Sequence, residues 1–208
     1  MNTVGAQEDA SDLDWYWTIS GSNTVRRPMV IDDAQLPVSP ELLDDGKVIE
    51  SWDGDAVMRV REERWSGEPD DVLQNYLGLP IFSTRLKLAL ELHGIAGFQY
   101  LPTRVFGYDS VELPTFYIAN VVELRPALDP DLSDYDVFPP DYFLPARRGK
   151  LSGLRRATLL ESQLLNCDAL RLSQYPASIY VSERFRSVFE RLGCTGYSFE
   201  PVTVRQDT

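Results

Sequence analysis

Two stretches of the chain carry the same order of apolar and polar positions. Ser83 to Val105 and Ser182 to Val204 align without a gap at a constant offset of 99 residues, and seven of the 23 aligned positions are identical. The shared residues are Ser83/Ser182, Arg85/Arg184, Glu91/Glu190, Gly94/Gly193, Gly97/Gly196, Pro102/Pro201 and Val105/Val204. Each copy is entered by a short apolar run, Leu79 to Phe82 or Ile179 to Val181, which reads as a strand. Ser83 or Ser182 then stands where a helix N-cap belongs, its hydroxyl able to accept a free backbone N–H of the first turn. Apolar positions follow at i, i+3, i+4 and i+7 spacing: Phe185, Val188, Phe189 and Leu192 in one copy, Leu86, Ala89, Leu90 and His93 in the other. Gly94 or Gly193 marks the left-handed exit from the helix. Gly97 or Gly196 turns the chain into an outgoing strand, Phe98 to Val105 or Tyr197 to Val204. Pro102 and Pro201 inside those strands suit an edge or a bulge. The spacing therefore predicts two strand–helix–strand units, at 79–105 and 178–204.

Elsewhere the pattern predicts shorter pieces. Asp14 to Ile19 reads as a strand or an anchoring aromatic cluster. Lys47 to Glu50 and Ala56 to Val60 read as strands on either side of an Asp53-Gly54 turn. Asp70 to Tyr76 reads as a short helix, Thr115 to Val122 as the clearest buried strand, and Leu159 to Leu165 as a strand or a helical turn. Together these predict an α+β fold, a mixed or antiparallel sheet with helices on one face that contains the two similar strand–helix–strand units. The 208 residues form one domain on this reading, with an acidic N-terminal part (1–78) and a part carrying the repeats (79–208).

Charge sharpens that division. The net charge is −12. Residues 1–78 hold 17 acids and 6 bases, residues 79–208 hold 15 acids and 14 bases, so nearly all of the imbalance lies in the first third. Such a field repels nucleic acid and anionic membrane and attracts a basic partner. No apolar run is long enough to span a bilayer, and the N-terminus MNTVGAQEDASDLDWYW lacks the basic start and apolar run of a signal peptide, which predicts a cytoplasmic protein. Cys167 and Cys194 are two thiols, too few for a zinc set, and read as small buried apolar residues.

Candidate chemistry is sparse. His93 is the one histidine, and its counterpart Leu192 on the apolar helix face makes it a core or core-rim residue rather than a general base. No phosphate-binding glycine loop and no nucleophile elbow occurs, and the recurring serines read as caps. The run Asp129-Pro-Asp131-Leu-Ser133-Asp134-Tyr-Asp136 is acidic but lacks the glycine and closing glutamate of a calcium loop. Arg147, Arg148, Lys150, Arg155 and Arg156 read as a solvated basic face that pairs with the protein's own acids. No catalytic residue, cofactor or metal site is expected.

The sequence "apolar strand, Ser-x-Arg, amphipathic helix, Gly-x-x-Gly, aromatic strand, Pro-Val" resembles the bacterial immunity proteins of polymorphic toxin systems, of the immunity protein family eleven type. The resemblance runs over about residues 45–204. It includes Asp70 to Leu73, Leu79 to Leu86, Tyr100 to Pro102, Tyr117 to Val121, Asp129 to Ser133 and Leu170 to Leu172, and is most specific from Val181 to Val202. Thr84, where an acid is common, and His93 depart from it. The resemblance implies a small cytoplasmic protein of interbacterial competition that binds the C-terminal domain of a cognate secreted toxin, delivered by a contact-dependent or type VI secretion route, and neutralises it stoichiometrically. It implies no catalytic residues.

Interface energy concentrates in aromatic anchors, so the candidate toxin-binding residues are aromatics ringed by acids: Trp52, Asp53, Asp55 and Trp65, and Asp134, Tyr135, Asp136 and Tyr142. The toxin domain is expected to be basic, with neither nucleic acid nor membrane as partner. Two other classes compete with this reading. One is a small enzyme built on carboxylates such as Asp129, Asp131 and Asp134; the other is a secretion-system adaptor or chaperone for a basic cargo.

Overall fold

The computed structural model describes residues 14–20, 30–53, 56–60 and 69–207. Fourteen strands and two α-helices occur among them. In chain order the elements are β1 (Trp15–Ser20), β2 (Val30–Gln35), β3 (Ala56–Val60), β4 (Val72–Asn75), β5 (Ile81–Ser83), α1 (Thr84–Leu92), β6 (Phe98–Phe106), β7 (Phe116–Val121), β8 (Leu124–Arg125), β9 (Asp134–Val137), β10 (Leu151–Arg156), β11 (Thr158–Leu160), β12 (Ala169–Leu172), β13 (Tyr175–Ser182), α2 (Glu183–Arg191) and β14 (Tyr197–Arg205). The molecule is mostly β. The expected single sheet with helices on one face is not what forms.

Three sheets form instead. One is a closed barrel, β2-β3-β6-β7-β5-β4; the second is six-stranded, in the order β11-β14-β1-β13-β12-β8; the third is the β9–β10 pair. The first two are the same arrangement twice. Val72 pairs with Phe82 as Ala169 pairs with Val181, and Pro102 pairs with Tyr117 as Pro201 pairs with Tyr16. Parallel β3 lies on β6 as β11 lies on β14, and β2 lies on β4 as β8 lies on β12. Even the barrel closure has a counterpart: Ala34 pairs with Met58, and Leu128 bridges to Leu159.

In this correspondence β1 matches β7, yet the two have changed places. β1, which opens the first half, lies between β13 and β14 of the second half. β7, which opens the second half, lies between β5 and β6 of the first. Each half completes its sheet with the other's leading strand, an exchange of the kind that otherwise links protomers. Side chains confirm the match. Lys87 lies over the Tyr117 ring at 5.1 Å and Arg186 over the Tyr16 ring at 4.6 Å. The same two cations pair with Glu91 and Glu190 one helical turn on.

The apolar residues sort accordingly. Leu43, Met58, Leu73, Ile81, Phe116 and Ile118 fill the first barrel, and Trp15, Leu128, Leu159, Leu170, Leu172 and Tyr180 fill the second sheet. A third cluster lies between the halves, where Leu86 and Leu90 of α1 meet Phe185, Val188 and Phe189 of α2 over Phe82, Val121, Val181 and Tyr197. The helices thus pack at the seam. Leu192 and His93, expected on the buried faces, lie at the exposed helix ends. His93 is the C-cap of α1, with a ring nitrogen 3.4 Å from the Arg191 guanidinium. Its core reading fails because the helix ends one residue before the apolar stripe would bury it.

Two further expectations change. Asp70 to Tyr76 is not a helix: Val72–Asn75 is a strand held on β5, and Asn75 closes the next turn by accepting the Leu77 and Leu79 N–H groups. Lys47 to Glu50 forms no strand. Ile49 instead exchanges two 2.8 Å hydrogen bonds with the Gln99 side-chain amide, which takes the place of a neighbouring strand's peptide. Pro102 and Pro201 each lie just before β3 or β11 joins that side of their strand, so the missing N–H falls at a local edge.

Candidate functional site

The recurring polar residues form two matched clusters at the seam. Ser83 Oγ accepts from Leu86 N–H as helix cap and donates to Asp71 at 2.7 Å; Ser182 Oγ accepts from Phe185 N–H and donates to Asp168 at 2.7 Å. Arg85 donates to Asp71, and its Nη1 reaches the Leu192 carbonyl at 3.1 Å. Arg184 donates to Asp168, and its Nη2 reaches the His93 carbonyl at 3.2 Å. Asp71 also accepts the Thr195 N–H, and Asp168 the Ala96 N–H. Each carboxylate is buried and fully engaged across the seam, so both clusters tie one half to the other and hold no free nucleophile. Burial pushes the Cys167 thiol up to about 11 and the Cys194 thiol up to about 12, keeping both protonated at neutral pH.

The predicted binding residues fall into two groups. Trp52 is half-buried against the first barrel's core, its indole N–H donating to the Pro102 carbonyl at 3.0 Å, and Asp53 beside it is exposed. Asp55 and Trp65 lie outside the described residues. The second group is on the β9–β10 arm. Asp134 and Asp136 are exposed but both accept from Arg155, and those bonds hold Asp134 below the usual carboxylate range. Tyr135 packs against the second sheet's core from the base of the arm. Tyr142 stands between Phe138 and Phe143, with ring centroids 4.5 and 4.6 Å away. No hydrogen bond, ion pair or ring contact among the described residues joins the two groups.

Of the acids proposed for a carboxylate site, Asp129 and Asp134 are each held by an arginine. Asp129 is buried, with Arg205 Nε 3.0 Å from its Oδ2 and the Asp131 N–H on its Oδ1. Among the described residues no three His, Cys, Asp or Glu side chains gather as a metal site. No described helix is long and apolar enough to cross a membrane.

The basic residues expected to pair with the protein's own acids divide: Arg155 does so, whereas Arg147, Arg148 and Lys150, at the exposed end of the arm, meet no carboxylate among the described residues. Phe143 and Leu144 are 73% and 41% exposed, and Arg147, Arg148 and Lys150 follow them. The signal available in the sequence was an apolar pair set inside a basic loop. Beside the arm lies a groove of about 760 Å³, lined in part by Phe138, Arg147, Lys150 and Tyr175.

The model of the immunity protein family (Imm11) matches residues 11–206, nearly the whole chain. No curated protein matches the chain.

Proposed function

The chain belongs to the immunity protein family (Imm11), and from that premise we propose that it neutralises a cognate toxin domain by binding it one to one inside the producing cell. The observation that carries the reading is the family match over residues 11–206, nearly the whole chain. The engaged serines and aspartates at the seam and the protonated thiols support a binding role over catalysis. Concentrated negative charge in residues 1–78 supports a basic toxin surface, which such a field would attract and orient. Trp52 and Asp53 on the first half and Asp134, Tyr135, Asp136 and Tyr142 on the arm are the proposed contacts, together with Asp55 and Trp65.

The test is co-expression with the toxin encoded by the neighbouring open reading frame. Restored growth, with a 1:1 complex on size-exclusion chromatography at micromolar concentration, is the expected result. Failure to form any complex refutes the reading, and a complex without growth rescue points to an adaptor. Reversing Asp53 and Asp55 to lysine is expected to slow association at low salt; an unchanged on-rate would move the steering surface elsewhere.

A further inference from the structure

The two halves treat the same connection in opposite ways. In the first half, the chain between β2 and β3 folds back on its barrel: Leu43 is 1% exposed, and Leu36, Val38, Ile49 and Trp52 pack beside it. In the second half, the matching stretch between β8 and β11 runs outward as β9 and β10. Its base is anchored by Tyr135, Leu151 and Leu154 on the second sheet's core. At its outer end Phe143 and Leu144 are exposed, on a run of rings from Phe138 through Tyr142 to Phe143.

The cations at this end are also unspent. Arg155, nearer the base, is neutralised by Asp134 and Asp136. Arg147 lies over the Phe138 ring at 5.7 Å, and Arg148 donates to the Tyr142 carbonyl at 2.8 Å. Neither they nor Lys150 meets a carboxylate among the described residues. With Asp141 the one acid among residues 138–150, this is a net positive, aromatic end on a chain whose net charge is −12. The adjoining groove of about 760 Å³ combines apolar Phe138, Leu151, Tyr175 and Pro176 with Arg147 and Lys150, a size and lining suited to a few side chains.

We propose that the outer end of the arm and this groove form a docking surface for a short acidic segment of the toxin domain that carries an aromatic or long aliphatic side chain. The inference rests on the toxin-binding reading above. Charge complementarity selects a protein segment over an extended polyanion. Three cations are fewer than the four to eight of a typical lipid-binding cluster or the phosphate contacts of a nucleic-acid site. A membrane or duplex lying against them would also meet the acidic remainder of the molecule. A compact acidic segment can reach the three cations with only Asp141 of the same stretch beside them, its apolar side chain enters the groove, and the ring run supplies the anchor.

The experiment is calorimetric titration of the full chain with the catalytically disabled toxin domain from the neighbouring open reading frame. It compares the unaltered chain, the triple variant R147E/R148E/K150E and the double variant F143A/L144A. All five positions are exposed, so the melting temperatures are expected to match. Each variant is expected to weaken binding about tenfold or more, the triple variant with a smaller salt dependence. If the unaltered chain binds and both variants bind equally well, the arm inference is overturned and toxin binding stands. The same holds if the triple variant loses only binding to phosphatidylglycerol vesicles or a duplex oligonucleotide. If the unaltered chain does not bind at all, the toxin-binding reading fails and takes the arm inference with it.

Discussion

The first half of the molecule closes its barrel through a run of pairs between β2 and β3, whereas the second half closes through the Leu128–Leu159 bridge. The difference has one cause. Residues 36–53 turn inward and fill the first barrel, while 130–157 leave the wall of the second sheet to build the arm. Strand order, helix caps, seam aspartates and cation–ring pairs are held in common. Where a duplicated scaffold keeps its seam and varies one connection, that connection is the place to look for what the protein recognises.

The exchange of leading strands is the sharpest claim in this comparison, and removing β1 attacks it most directly. A chain beginning at Val30 leaves β13 and β14 without the strand between them. It is expected to lose cooperative folding entirely, since the loss exceeds the roughly 5–15 kcal/mol that stabilises a domain. Circular dichroism and thermal melts check this. Hydrogen exchange then shows which half fails: loss confined to β2–β6 would mean that β1 serves its own half. Trp15→Ala is the milder version, expected to cost about 3–5 kcal/mol.

The seam glycines test whether the halves meet equivalently. Gly97 and Gly196 have φ values of 103° and 102°, and a Cβ on either would press into a carbonyl oxygen of the other half, Ala169 or Val72. Alanine at either site is expected to cost about 3 kcal/mol from strain and overlap. Gly94 and Gly193 have φ near 60° and open space around the missing Cβ, so alanine there should cost about 1–2 kcal/mol. Denaturant titration of the four variants gives the ranking. Equal costs at all four positions would count against the close approach across the seam.

The smallest expected effect separates the two helix N-termini. Glu183 begins α2, where Thr84 begins α1. Burial raises the Glu183 pKa, but bonds from Arg186, Ser187 and Tyr16 outweigh it, so the folded value lies below the usual 4.5. A lowered carboxyl pKa contributes stability above its unfolded value, and that contribution disappears as pH falls through the folded value. Glu183→Gln should therefore lower the melting temperature at pH 7 and flatten its decline below about pH 4.5. A parallel pH profile for variant and parent would reassign the acid sensitivity to other carboxylates.

The repeat was legible because its helix and outgoing strand contain no insertion between copies. The rest of the duplication was not, since β1/β7, β2/β8, β3/β11 and β4/β12 lie at other offsets than the repeat. Trp15-Tyr16-Trp17 corresponds to Phe116-Tyr117-Ile118, and Asp71-Val72-Leu73 to Asp168-Ala169-Leu170. No local pattern announces that β1 and β7 trade partners, because both are short alternating strands that fit either sheet. Asp70 to Tyr76 reads as a helix by its local pattern, but the pairing of Val72–Asn75 with β5 overrides that weak preference. Among candidate contacts, the aromatic content of the arm could be read in advance. The capture of Asp134 and Asp136 by Arg155 could not, since it depends on the register of β9 against β10.

The traded strands also bear on how such a chain could arise. A lone half carries one leading strand and one gap that it fits, so two identical copies could complete each other as a symmetric dimer. Linking the copies turns that dimer into a single polypeptide and lifts the requirement that both be identical. One copy could then keep its connection folded inward while the other lengthened its own into an arm, a divergence that a true homodimer could not have made one subunit at a time.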